Sequence, residues 1–174
     1  KKGQIIGITG AVACGKSTLG KAFLCEYPYE GHITVDGAEL QNMEQSVRTG
    51  IVGYLGHDPE LFNDSVENNV LLGDSKNSDT YLNAACMKQE VAEMTDGKNT
   101  LIGSGGAYLS GGQAKRLAFA RTLCHDKPIL ILDDPISALD KNTEKQAFDN
   151  LHALAKDSIV LLISHRLYLF PEMD

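Results

Sequence analysis

The sequence has no block of lysine or arginine, and its 16 basic residues are outnumbered by 23 acidic ones, for a net charge of -7. Affinity for nucleic acid comes mainly from neutralising phosphates, so this balance argues against a nucleic-acid surface. There is no apolar run near the roughly 20 residues needed to span a bilayer as a helix, and no secretory leader pattern. The four cysteines, Cys14, Cys25, Cys86 and Cys124, lack the spacing of metal ligands. One of them sits in a glycine-rich loop, so a reduced compartment is expected. What is plentiful is apolar content: 43% hydrophobic residues in a chain of 174. That suffices for one domain with a core, or for a core carrying a small inserted subdomain.

The chain is organised around Gly10-Ala11-Val12-Ala13-Cys14-Gly15-Lys16-Ser17-Thr18. An apolar run, Gln4 to Thr9, precedes it and reads as a short buried strand. A helical stretch follows, Ser17 to about Glu26, stopping before Pro28. Strand, glycine-rich loop and helix in that order are the context that G-x-x-x-x-G-K-[ST] requires. Backbone N–H groups of such a loop wrap a phosphate, and the positive helix terminus assists. Lys16 is placed to reach β- and γ-phosphates, and Ser17 to put its hydroxyl on Mg²⁺. Gly10 and Gly15 leave room for the backbone to approach the ligand.

Further along, Gly31 to Gly37 alternates as a half-buried strand does. Polar sequence from Ala38 to about Arg48 reads as helical. Ile51 to Leu55 is a second strand, ended by the loop residues Gly56-His57-Asp58-Pro59. From Leu61 to about Gly97 the pattern is helical, with one helix over Val66–Leu72 after the caps Asn63, Asp64 and Ser65 and another from Ser78 through Met87. Gln113 to Cys124 forms a helix that Ser110 is placed to cap, with Gly111 and Gly112 leaving its first N–H groups open. This is a second anion-binding helix terminus, or else an ordinary glycine-rich loop before a helix.

Pro128 to Asp134 is a continuous apolar run ending in two acids, as suits a strand buried on both faces of a parallel sheet. Acids at its carboxyl end lie where open α/β sheets bind ligands. Asp133 is then the Mg²⁺-associated carboxylate, and Asp134 either polarises an attacking water or caps a helix. A helix over Asn142–Lys156 and a strand over Ser158–Ile163 follow. His165 stands just past that strand, as a γ-phosphate donor or as a structural histidine.

With these residues in place, the sequence resembles the nucleotide-binding domains of the ATP-binding cassette family. Leu109-Ser110-Gly111-Gly112-Gln113 matches the family signature letter for letter. Ile129–Asp133 is similar to the Walker B strand, Ser137–Asp140 to the D-loop and His165 to the switch histidine. The stretch Tyr54–Asn69 resembles the exporter branch. Asp133-Asp134-Pro135-Ile136-Ser137 resembles the first nucleotide-binding domain of the multidrug-resistance-protein and cystic-fibrosis-regulator subfamily. There are departures. His57 stands at the Q-loop glutamine, Asp134 at the Walker B glutamate, and Ser104-Gly105-Gly106 at the exporter Glu-Arg-Gly.

The resemblance implies a P-loop NTPase of the α/β class, with a mostly parallel sheet flanked by helices and an inserted α-helical subdomain. Residues 1–57 and 121–174 would form the two parts of the core, and 58–120 the helical signature subdomain. The start close to the phosphate loop, without the upstream adenine-stacking aromatic, and the end soon after His165 suggest an excerpt of a larger protein. ATP and Mg²⁺ are the implied ligands. Gly10 to Thr18 and Ser110 to Gln113 would bind nucleotide, Asp134, His165 and His57 would serve catalysis, and Ser17, Asp133 and His57 would face the metal. The implied partners are a second nucleotide-binding domain, paired head to tail, and membrane domains at the cytoplasmic face. His57 and Asp134 imply a weakened hydrolytic site. A regulatory ATP-binding module and a non-transport cassette ATPase are the alternatives.

Overall fold

The computed structural model describes residues 1–136 and 139–174. Ser137 and Ala138, the first half of the expected D-loop, lie outside the described residues. The centre of the molecule is a four-stranded sheet in the order β1 (Ile5–Ile8), β6 (Ile159–Ile163), β5 (Ile129–Asp133), β4 (Val52–Leu55). Every pairing in it is parallel, with Ile5 opposite Val160, Leu130 opposite Val160 and Val52 opposite Ile129. The inner strands β5 and β6 are nearly all Ile, Leu and Val because both of their faces are covered. All four carboxyl ends therefore open on one side, where Gly10, Gly56, Asp134 and Ser164 continue the chain.

Helix α1 (Lys16–Ala22) lies against this sheet with Gly20 as its contact point. A Cβ on Gly20 would come within 3.1 Å of Ile131 Cγ2 and of Tyr54 Cε2. On the other side, α6 (Gly111–Cys124) buries Leu117, Phe119 and Leu123. These join Val66 and Val70 of α3 (Val66–Leu71) and Leu82 of α4 (Ser78–Ala84), and the same apolar cluster reaches Leu130, Leu132 and Leu162 of the sheet. The helical arm and the sheet thus share one core, closed by α7 (Lys141–Leu154) through Ala147, Phe148 and Leu151.

Four expectations are corrected. The segment 38–48 is not one helix. Asp36 (φ 50°) and Gly37 (φ 81°) turn the chain back, and β2 (Thr34–Val35) pairs antiparallel with β3 (Ala38–Glu39). Two successive left-handed residues of Asp-Gly type make the tight hairpin turn. A short turn over 40–42 then leads to α2 (Gln45–Ile51). The strand expected over 31–37 is accordingly reduced to Thr34–Val35. The first helix stops at Ala22 rather than Glu26. Its last N–H groups bond three residues back, Leu24 to Lys21 and Cys25 to Ala22, and Cys25 turns left-handed at φ 55°. The helix begun at Ser78 ends at Ala84, where Cys86 (φ 54°) breaks it, and a separate α5 (Lys88–Ala92) follows.

Candidate functional site

The loop after β1 takes its path from two left-handed residues, Ala13 (φ 62°) and Gly15 (φ 95°), the second of which opens α1. Gly10 lets the loop fold on itself, since a Cβ there would lie 2.9 Å from Cys14 Sγ. Lys16 curls back over the loop, donating to the carbonyls of Gly10 at 3.0 Å and Ala11 at 2.8 Å. Its ammonium also lies 3.7 Å from Cys14 Sγ. The charge is therefore held at the centre of the loop, within the reach of anything the loop encloses.

A cavity of about 310 Å³ brings together Val12, Ala13, Cys14, Gly15, Lys16, Ser17 and Thr18 with His57, Asp133, Asp134 and His165. These come from the ends of all four strands, so the parallel sheet is what assembles them. Asp133, the last residue of β5, is 4% exposed. Its Oδ2 is buried and has no hydrogen-bond partner among the described residues. A buried carboxylate oxygen without a partner calls for one. Ser17 in the same cavity offers a hydroxyl, and such an oxygen pair suits Mg²⁺, which takes one or two protein oxygens and fills its octahedron with water and phosphate. No group of three or more His, Cys, Asp or Glu poised for a metal occurs among the described residues. The charge of Asp133 is felt nearby: burial first, then Asp133 and Glu26, push the Tyr54 phenol above its ordinary value.

Among the described residues, Asp134 caps no helix. It sits at φ 52° with its N–H donated to Ile163 O at 2.8 Å, which ties the end of β5 to the end of β6. His165 follows Ser164, whose N–H bonds Ile8 O at 3.1 Å. His57 is exposed, and its Nδ1 lies 3.4 Å from the ammonium of Lys115 on α6. The ring thus stands between the cavity and α6, and each of its nitrogens is a donor or an acceptor according to the tautomer.

Ser110 to Gln113 do not line this cavity. They form the start of α6 as a reciprocal cap. Gln113 N–H donates to Ser110 Oγ at 3.2 Å, and Ser110 N–H donates to Gln113 Oε1 at 2.9 Å. Glu90 of α5 then fixes Gln113 by accepting its Nε2–H at 3.0 Å, and takes a two-pronged bond from Arg116 at 2.6 and 2.9 Å. Lys115, Glu90 and Arg116 were missed in the sequence. Charges separated by tens of residues carry no local pattern that would pair them.

A family model described as "ABC transporter" matches residues 1–137. The chain is 34% identical over 99% of its length to P-glycoprotein 14 of Caenorhabditis elegans, of which it covers 13%. It is 35% identical over its whole length to a probable multidrug resistance ABC transporter ATP-binding/permease protein of Bacillus subtilis, of which it covers 31%. Among solved structures, a bacterial Atm1-family ABC exporter with ATP bound superposes on 99% of this chain with a TM-score of 0.90 at 32% identity. The chain spans 31% of that exporter subunit.

Proposed function

This chain belongs to the ABC transporter family, as an ATP-binding domain of the exporter type, and from that premise we propose that it binds Mg²⁺-ATP at its own phosphate loop and hydrolyses it slowly to power an exporter. The carrying observation is the convergence of Lys16, Ser17 and the orphaned Asp133 oxygen on one cavity. The loop from Gly10 to Thr18 would wrap the phosphates, with Lys16 leaving its carbonyl partners for the β- and γ-phosphate oxygens. Ser17 and Asp133 would hold Mg²⁺, which neutralises charge building on the phosphates. Asp134 would orient the attacking water, and His165 and His57 would donate to oxygens of the γ-phosphate or to that water. Water adds to the γ-phosphorus, the bond to the bridging oxygen of ADP breaks, and inorganic phosphate leaves.

The signature residues Ser110 to Gln113 form a separate half-site, which fits a γ-phosphate supplied by another domain. ATP would then bridge two domains head to tail, and hydrolysis would release them, a ligand-driven population shift. Residues 58–120 would be the arm that presents this half-site. Membrane domains at the cytoplasmic face would read the closure as motion. No described helix is long and apolar enough to cross a membrane.

The test is Lys16→Ala in the full transporter that carries this chain. Calorimetry with ATP is expected to show loss of binding at this site, and sedimentation to show loss of ATP-dependent association. Binding as tight as the parent's refutes the phosphate-loop assignment. Asp134 and His57 favour a second reading, a regulatory module that holds ATP with little turnover.

A further inference from the structure

Resting on the reading that His165 serves the γ-phosphate, we propose that Glu144 is the positioning residue for His165. Glu144 lies on α7, one turn after its cap Asp140, and is wholly buried. A buried carboxylate is costly unless it is paired. Among the described residues, the groups that meet it come from the segment that follows His165. Arg166 Nη2 lies 3.1 Å from Glu144 Oε1, an ion pair without hydrogen-bond geometry, since that oxygen has no hydrogen-bond partner among the described residues. The Tyr168 hydroxyl donates to Glu144 Oε2. Burial and this carboxylate push the Tyr168 phenol up to about 12. The Tyr168 ring also carries Lys141 Nζ 5.7 Å from its centre, a second tie to the same helix.

His165 is therefore clamped on both sides. Before it, Ser164 is buried and bonded to the end of β1. After it, Arg166 gives its N–H to Ser164 Oγ at 3.0 Å while its guanidinium reaches Glu144. The exposed histidine itself, whose ring lines the cavity, owes its place to these neighbours. Glu144 lies one turn into α7, whose cap Asp140 is the last residue of the expected D-loop, so one helix carries both that residue and the clamp.

The experiment uses the full transporter and four variants: His165→Ala, Glu144→Gln, Tyr168→Phe and the double variant His165→Ala with Glu144→Gln. Single-turnover ATP hydrolysis and ATP affinity are read for each. Glu144→Gln keeps the shape and removes the charge that holds Arg166. It is expected to slow hydrolysis about tenfold, as a misplaced catalytic group does, with ATP affinity within about twofold of the parent. In the His165→Ala background the same change is expected to cost nothing further, because residues acting as one unit are not additive. A purely structural role for Glu144 predicts additive losses and overturns the inference, as does parental hydrolysis by Glu144→Gln. Tyr168→Phe removes one hydroxyl and keeps the test open if Glu144→Gln fails to fold; it should show a smaller loss with the same non-additivity. If His165→Ala itself hydrolyses ATP like the parent, the role given to His165 has failed, and the inference falls with it. That outcome is distinct from a slow His165→Ala beside a normal Glu144→Gln.

Discussion

On the proposed reading Asp134 and His57 together limit how fast the site turns over, and restoring glutamate and glutamine at these positions should raise the rate. An aspartate carboxylate sits about 1.5 Å short of a glutamate's, one C–C bond. The backbone has little freedom to make up that distance. Asp134 N–H is bonded to Ile163 O at 2.8 Å, and the preceding residue is held in the sheet opposite Ile163. A misplacement near 1 Å costs on the order of 100-fold in rate, or about 2.7 kcal/mol of barrier. On the same reading His57 adds to the loss, since glutamine offers both an amide and a carbonyl oxygen, whereas imidazole offers Mg²⁺ no oxygen. The double variant His57→Gln with Asp134→Glu is therefore expected to hydrolyse at least about tenfold faster, allowing for incomplete repair of the geometry. One opposing effect is built in: Asp134 is left-handed at φ 52°, a conformation aspartate tolerates better than glutamate. The variant should melt lower, by about 1 kcal/mol, while turning over faster. The assay is single-turnover hydrolysis at this site in the assembled transporter, beside a thermal melt. No rise in rate, or a parent site already as fast as its partner site, refutes the reasoning.

Gly20→Ala gains about 1 kcal/mol of helix propensity in α1 against the cost of a Cβ 3.1 Å from Ile131 and Tyr54, so it should destabilise the protein by no more than about 2 kcal/mol; a variant that melts above the parent contradicts this packing. The Arg116 guanidinium, helped by Gln113, holds the Glu90 carboxyl below its ordinary value despite partial burial. The folded protein thus binds that proton less readily than the unfolded chain, so the bridge stabilises above the ordinary carboxyl pKa of about 4.3 and is lost as pH falls through the lower folded value. Glu90→Gln should melt below the parent at pH 7, and the gap should close on acidification; a gap independent of pH removes the assignment. Cys14 is exposed in the cavity that Lys16 lines, so maleimide should label it and saturating ATP should slow the labelling. Equal rates with and without ATP would show that nucleotide does not cover the loop.

The parts of the fold that the sequence reveals are those whose signal is local. The strand, loop and helix from Ile5 to Ala22 follow from an apolar run, spaced glycines and a helical stretch in immediate succession. The β5 strand follows from five apolar positions capped by two acids, and the start of α6 from a cap serine with a glutamine three residues on, which does form the reciprocal cap. The Asp36-Gly37 hairpin was equally local and was overlooked because polar sequence after it favoured helix. The rest is non-local. The bond between Lys115 and His57 joins residues 58 apart. The clamp of Glu144 on Tyr168 spans 24 residues and exists only because α7 and the segment after β6 fold side by side. Neither the orphaned oxygen of Asp133 nor the left-handed turn at Asp134 leaves a mark in composition or period, since both arise from how three parallel strands end together.

The two anion-binding termini of this chain differ in what they have left to offer. In the phosphate loop the ammonium of Lys16 rests on carbonyl oxygens, a ligation that phosphate oxygens replace with stronger, charged partners. At the start of α6 the cap already uses one lone pair of Ser110 Oγ and the Ser110 N–H. The donors left are the Ser110 hydroxyl hydrogen and the backbone N–H groups of two glycines, on a helix end braced by Glu90 and Arg116. A braced set of donors binds an anion at little ordering cost, yet none of it lines the chain's own cavity. Each half-site therefore lacks what the other kind holds: one has charge and metal ligands without the outer donors, the other has donors without charge. On the proposed reading a second domain of the same build would complete both at once, and for that reason the occupancy of one site should govern the closure of the pair.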